Sequence, residues 1–177
     1  MSSRTKRFIT AGLAAAAVMA GGLFGAASAS AYNGPVSGCA FQTVNGNYLT
    51  AVGGGGRTTD VLHTDATQIR GWEKFTLVDS RDGSPEIAYG VQTMTGNYLT
   101  AVGGGGRITD VMHSDATWLR GWEKLTLHSL GGDWYSISTV NGRYLTAVDG
   151  GGRVSDAIHS DATQVGAWER FHVTCGH

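Results

Sequence analysis

Three copies of one sequence unit occupy most of this chain, and they constrain its fold more than any other feature. Residues 46–57 and 96–107 both read GNYLTAVGGGGR, and residues 142–153 read GRYLTAVDGGGR. Each copy runs on into HTDAT (63–67) or HSDAT (113–117 and 159–163), and then into GWEKF, GWEKL or AWERF. Tyr48, Tyr98 and Tyr144 set the spacing, at 50 and then 46 residues. A period of this length means that each copy is one supersecondary unit, stable only when packed against the others.

Within a unit the pattern is that of strands. FQTV (41–44) leads through Asn45-Gly46, a strong tight-turn signal, into YLTAV (48–52). Alternation puts Tyr48, Thr50 and Val52 on one face of that second strand and Leu49 and Ala51 on the other. DVLHT (60–64) and WEKFTL (72–77) follow, the latter pointing Phe75 and Leu77 the same way. Four strands per unit predict about twelve in all, and a helical period occurs only near the N-terminus. Three blades are too few to close a propeller. The expected fold is therefore all-β: a β-trefoil of three four-stranded repeats with pseudo-three-fold symmetry, the repeats spanning about 39–88, 89–134 and 135–177.

The ends say where such a protein works. Arg4, Lys6 and Arg7 precede an apolar run to Phe24, and Ala29-Ser30-Ala31 is a small-residue cleavage pattern. Residues 1–31 read as a secretory signal peptide rather than a membrane span, leaving 32–177 as a single exported domain. Without the leader, 10 Lys and Arg face 14 Asp and Glu. That acidic balance argues against nucleic acid as a partner, since phosphate neutralisation needs clustered cations. No other apolar run is long enough for membrane insertion. Cys39 and Cys175 suggest a disulfide in an oxidising compartment.

Gly-(Asn/Arg)-Tyr-Leu-Thr-Ala, the glycine turn and Trp-Glu-x-(Phe/Leu) together resemble the repeat of the fascin-like β-trefoil family, in particular its bacterial exported members. The resemblance covers all three units. It implies a non-catalytic, lectin-like, carbohydrate-binding role; the animal members bundle actin with several trefoils, which a single exported domain does not inherit. The Gln-x-Trp signature of ricin-type lectins is absent, so their sugar-site residues do not carry over. In a trefoil the first and last strands adjoin, which suits a bridge between Cys39 and Cys175.

HSDAT holds the side-chain types of a hydrolase but not the arrangement. On an extended segment His113 and Asp115 share a face and Ser114 points away, so no relay forms among neighbours. The GGGGR run lacks the Lys-Ser/Thr and helix of a phosphate loop, and positive-φ turn geometry explains it. The pairs His63/Asp65, His113/Asp115 and His159/Asp161 each supply two potential ligands, short of the three or four zinc takes. Neither a metal nor a cofactor is assigned.

Two readings of the motif remain. In one, its Asp and Thr hold the exit of the third strand by local backbone bonds. In the other, each unit has a shallow sugar site. The candidate residues are then Asp60, His63 and Asp65, with Asp110, His113 and Asp115, and Asp156, His159 and Asp161. Carboxylates and imidazoles match paired sugar hydroxyls, and either Tyr48, Tyr98 and Tyr144 or the unit tryptophans are candidate aromatic platforms. Trp118 replaces Gln68 and Gln164, so it either makes unit two the best binding site or serves as a satellite core contact, whereas Trp72, Trp122 and Trp168 are expected to seal the barrel. The expected partner is a carbohydrate or glycoconjugate. The alternative is a protein-interaction adaptor in an exported assembly.

Overall fold

A computed structural model describes residues 34–80 and 87–177. The expected signal peptide lies outside the described residues. Unit one supplies β1 (Val36–Gln42), β2 (Tyr48–Ala51), β3 (Leu62–Ala66) and β4 (Phe75–Asp79). Unit two supplies β5 (Ala88–Gln92), β6 (Tyr98–Ala101), β7 (Met112–Ala116) and β8 (Lys124–Gly131). Unit three supplies β9 (Trp134–Ser138), β10 (Tyr144–Ala147), β11 (Ile158–Ala162) and β12 (Arg170–Thr174).

The outer strands of the units form a closed ring in the order β1, β4, β5, β8, β9, β12 and back to β1, every pair antiparallel. The inner strands form three hairpins, β2–β3, β6–β7 and β10–β11. A six-stranded barrel with three hairpins in pseudo-three-fold array is a β-trefoil. Its interior is filled from equivalent positions of the three units. Phe41, Val91 and Ile137 form one such set, and Phe75, Leu125 and Phe171 another, all at most 3% exposed. Leu49, Leu99 and Leu145 enter from the hairpins. Phe41 and Phe75 meet edge to face, with ring centroids 5.5 Å apart, the geometry the ring quadrupoles favour.

Two expectations are corrected. The third strand starts at Leu62, not at Asp60, because Asp60 takes a left-handed turn (φ 50°) and leaves Val61 and Leu62 both buried. The tryptophans do not seal the barrel: Trp72, Trp122 and Trp168 are about half exposed. They sit in the turn before the last strand of each unit, where Trp72 contributes its carbonyl to the Ala51 amide at 2.9 Å and its indole stays at the surface.

The units are joined hairpin to hairpin. The Gly56 amide donates to the Ser114 carbonyl (2.7 Å) and the Ser114 amide to the Arg57 carbonyl (2.8 Å). Gly106 and Arg107 hold Ser160 in the same way, and Gly152 and Arg153 hold Thr64. The second residue of each HTDAT or HSDAT, Thr64, Ser114 or Ser160, is fully buried in this joint. Its hydroxyl adds a further bond, the Arg57 amide donating to Ser114 Oγ at 3.1 Å. The motif thus forms the body of the third strand and clasps the neighbouring unit's glycine loop, instead of holding its own exit. The glycine run is tailored to this contact. A Cβ on Gly55, Gly105 or Gly151 would lie 2.2–2.3 Å from the hydroxyl of Thr93, Thr139 or Thr43. At the seam between β1 and β12, Cys39 and Cys175 form a disulfide with an S–S distance of 2.07 Å.

Candidate functional site

Between the β2–β3 hairpin and the segment leading to β4 lies an open groove of about 670 Å³. Thr50, His63 and Asp65 line it from the hairpin, and Gln68, Arg70, Trp72 and Glu73 from the segment. Met94, from the first turn of unit two, closes one end.

Glu73 shapes the groove, and motif reasoning did not single it out. It is 6% exposed. Its Oε1 accepts the Thr50 hydroxyl at 2.8 Å and its Oε2 the Arg70 amide at 2.8 Å. Glu123 does the same with Thr100 and Arg120, and Glu169 with Thr146 and Gly166. A buried carboxylate is tolerated only when its lone pairs are met, and here one oxygen fastens the Trp-bearing segment to the hairpin while the other holds the turn of that segment. The signal was present: Thr and Glu recur at a separation of 23 residues in all three units.

The proposed triplet divides. His63 and Asp65 face the groove, whereas Asp60 stands behind the histidine and opens toward the pseudo-three-fold axis. His63 Nε2 and Asp60 Oδ1 are 2.7 Å apart, and Arg57 Nη2 donates to the other carboxylate oxygen at 3.4 Å. His113 pairs with Asp110 at 2.8 Å and His159 with Asp156 at 2.7 Å. Each left-handed Asp therefore fixes its histidine ring. The hydrogen bond from His63 is the main influence holding the Asp60 carboxyl below its ordinary range, with the Arg57 charge adding to it. Asp65 and its counterparts Asp115 and Asp161 are exposed. The Asp65 carbonyl accepts from the Asn47 side chain at 3.2 Å.

The tyrosines lie off this groove. The Tyr98 ring covers Gly90 on the barrel wall, so closely that a Cβ there would lie 2.8 Å from two ring carbons. Tyr144 packs against His128, with ring centroids 6.0 Å apart. The aromatic surface beside His63 and Asp65 comes from Trp72, the tryptophan alternative. In unit two the counterparts are Trp122, 52% exposed, and Trp118, which stands where Gln68 lines the first groove and is 72% exposed.

A second depression, about 570 Å³, surrounds the pseudo-three-fold axis and is lined by residues 58–62, 108–112 and 154–158. Ile108 and Val154 are more than half exposed at its mouth.

No family model and no curated protein matches the chain. Solved structures do resemble it. The designed three-fold symmetric protein ThreeFoil superposes with a TM-score of 0.62 at 12% identity, over 76% of this chain and 96% of that one. SeviL, solved bound to asialo-GM1 saccharide, gives 0.57 at 12% identity, over 80% and 99%. The Polyporus squamosus lectin, solved with a sialylated influenza-binding epitope, gives 0.58 at 12% identity, over 80% of this chain and 49% of that one. At such identity the likeness establishes the fold alone: the chain is a β-trefoil.

Proposed function

We propose that this is a secreted, non-catalytic carbohydrate-binding module with up to three related sites, one per unit. The observation that carries the reading is the groove. A half-exposed indole lies beside an imidazole and a carboxylate, and a buried Glu–Thr pair holds the wall rigid. An indole face suits the C–H face of a pyranose, and the polar pair suits its hydroxyls. Three weak sites on one rigid body gain avidity on a repeating polymer or cell surface. Support also comes from the lectins among the structural neighbours and from the resemblance of the repeat to exported fascin-like trefoils. Export itself is inferred from the leader sequence and agrees with a domain closed by a disulfide. The reading assigns no cofactor, metal, nucleic acid or membrane span. Among the described residues, no helix is long and apolar enough to cross a bilayer.

The alternative, an adaptor that holds a partner protein, draws on the exposed Ile108 and Val154 around the axis.

A glycan array, extended to cell-wall and plant polysaccharides, tests the first reading. Binding is expected, and Trp72→Ala, Trp122→Ala and Trp168→Ala should each weaken it at their own unit by about tenfold with the fold intact by circular dichroism. His113→Ala with Asp115→Ala should act likewise at unit two. An array without a single positive, alongside a stoichiometric protein partner on purification, would replace this reading with the adaptor.

A further inference from the structure

The ionisable side chains that line the unit-one groove are His63, Asp65, Arg70 and Glu73, and they are not equally engaged. Glu73 is buried with both carboxylate oxygens bonded, and His63 is tied to Asp60 at 2.7 Å. Asp65 on the hairpin and Arg70 on the segment opposite are both exposed. Neither belongs to any ion pair among the described residues, with each other or with a third group. We propose that this groove selects an acidic sugar, one bearing a single carboxylate, which Arg70 grips while Asp65 accepts from a ring hydroxyl. The proposal rests on the carbohydrate reading and adds to it the charge class of the ligand and the residue that sets it.

Arginine serves this fold in two ways. Arg57, Arg107 and Arg153 belong to the frame: each donates from Nε to a backbone carbonyl at 3.2 Å and from Nη2 to Asp60, Asp110 or Asp156 at 3.3–3.4 Å. The Arg70 guanidinium makes one hydrogen bond among the described residues, from Nη2 to Gln68 Oε1 at 3.5 Å, the long end for such a bond. Only the Arg70 backbone serves the frame, its amide donating to Glu73 Oε2 at 2.8 Å. Gly166 makes the same bond to Glu169 at 2.7 Å with no side chain at all. The guanidinium is therefore not needed to build the groove wall, and most of its donors are left to water.

Those donors come in pairs that match the two oxygens of a carboxylate. A neutral sugar in the groove displaces water from the cation and returns only hydroxyl bonds. A carboxylate returns charge-assisted ones, roughly twice as strong. Asp65 sets the other limit: its oxygens accept from hydroxyls and repel a second anionic group, which favours one charge on the sugar over several. The apolar part of the ligand has a place as well. The Met94 methyl and Trp72 Cδ1 lie 3.2 and 3.5 Å from the Cβ position of Gly54, so thioether and indole converge within the groove. A pyranose C–H face fits against them. The acidic balance of the chain acts at long range and is screened at physiological salt, which leaves the contact with Arg70 to set the preference.

Titrations of the full protein with matched pairs test this: methyl galactoside against methyl galacturonoside, methyl glucoside against methyl glucuronoside, and lactose against 3′-sialyllactose. They are read by calorimetry and by the Trp72 indole N–H signal in ¹⁵N NMR, assigned with Trp72→Phe. In at least one pair the carboxylated member should bind about tenfold more tightly and move the Trp72 signal. That advantage should shrink as salt rises. Arg70→Gly, which installs the residue native to unit three, should cancel the advantage with the circular dichroism retained. Arg70→Gln, which removes the charge and keeps a side chain, should do the same. The proposal fails if the neutral member binds as tightly in every pair, if either folded variant keeps the advantage, or if the carboxylated sugars bind without moving the Trp72 signal. Each of those results leaves the carbohydrate reading standing wherever some sugar still binds. An array with no positive removes both.

Discussion

Ser114 carries in one side chain the difference between a catalytic motif and an architectural one. It is fully buried, and its hydroxyl lies 3.1 Å from the Arg57 amide and 3.3 Å from the Arg57 carbonyl. Ser114→Ala strands that amide partner and should cost about 1 kcal/mol in urea denaturation, while groove binding persists. Strand alternation was enough to part Ser114 from His113 and Asp115. Its partner could not be read, because Arg57 lies 57 residues away in another unit. The histidine has a different test. Asp60 has a depressed carboxyl, so its contribution to stability is present above its unfolded value of about 3.9 and is lost as pH falls through the lower folded value. His63→Ala removes the main cause of that depression. The Asp60 carboxyl should then titrate closer to its ordinary range by ¹³C NMR, and the stability deficit of the variant should vanish in acid.

Among the elements, the glycine runs are the most exacting. Gly55 has φ 109° and its Cβ would lie 2.2 Å from Thr93 Oγ1, whereas Gly56 has φ 79° and open space around it. Gly55→Ala should therefore cost roughly 2–4 kcal/mol by thermal or urea unfolding, from strain and overpacking together, and Gly56→Ala about 1–2 kcal/mol from backbone strain alone. Positive φ was legible in GGGGR; the close approach was not, since it is made to a turn of the next unit. The same limit explains the other misreadings. Period-2 alternation identified the strands that bear Phe41, Leu49 and Phe75, but it ran β3 back to Asp60 across a left-handed residue that an aspartate accommodates. Hydrophobicity alone put Trp72 inside. Its place in a turn whose carbonyl is held by Ala51 and whose Glu73 is held by Thr50 puts it outside, on the wall of the groove.

At the scale of the whole molecule, the barrel closes where the chain's described ends meet. Cys39→Ala with Cys175→Ala opens a loop of 136 residues and should lower stability by roughly 4–5 kcal/mol at most on chain-entropy grounds, read as a shift in the urea midpoint, with sugar affinity of the folded protein unchanged. The barrel should survive, because β1 and β12 remain paired and the hairpin joints are independent of the bridge. Those joints run head to tail: unit one clasps unit two, two clasps three, and three returns to clasp one. A heterologous contact that closes after three steps is also what a ring of three separate subunits needs. A single unit carries both halves of the joint, and in a ring of separate subunits every copy would have to be alike. Continuity of the chain lifts that requirement. It lets one copy hold Asp149 where the others have glycine, and another hold Trp118 where the others have glutamine, so that a ring built on sameness presents three unequal faces.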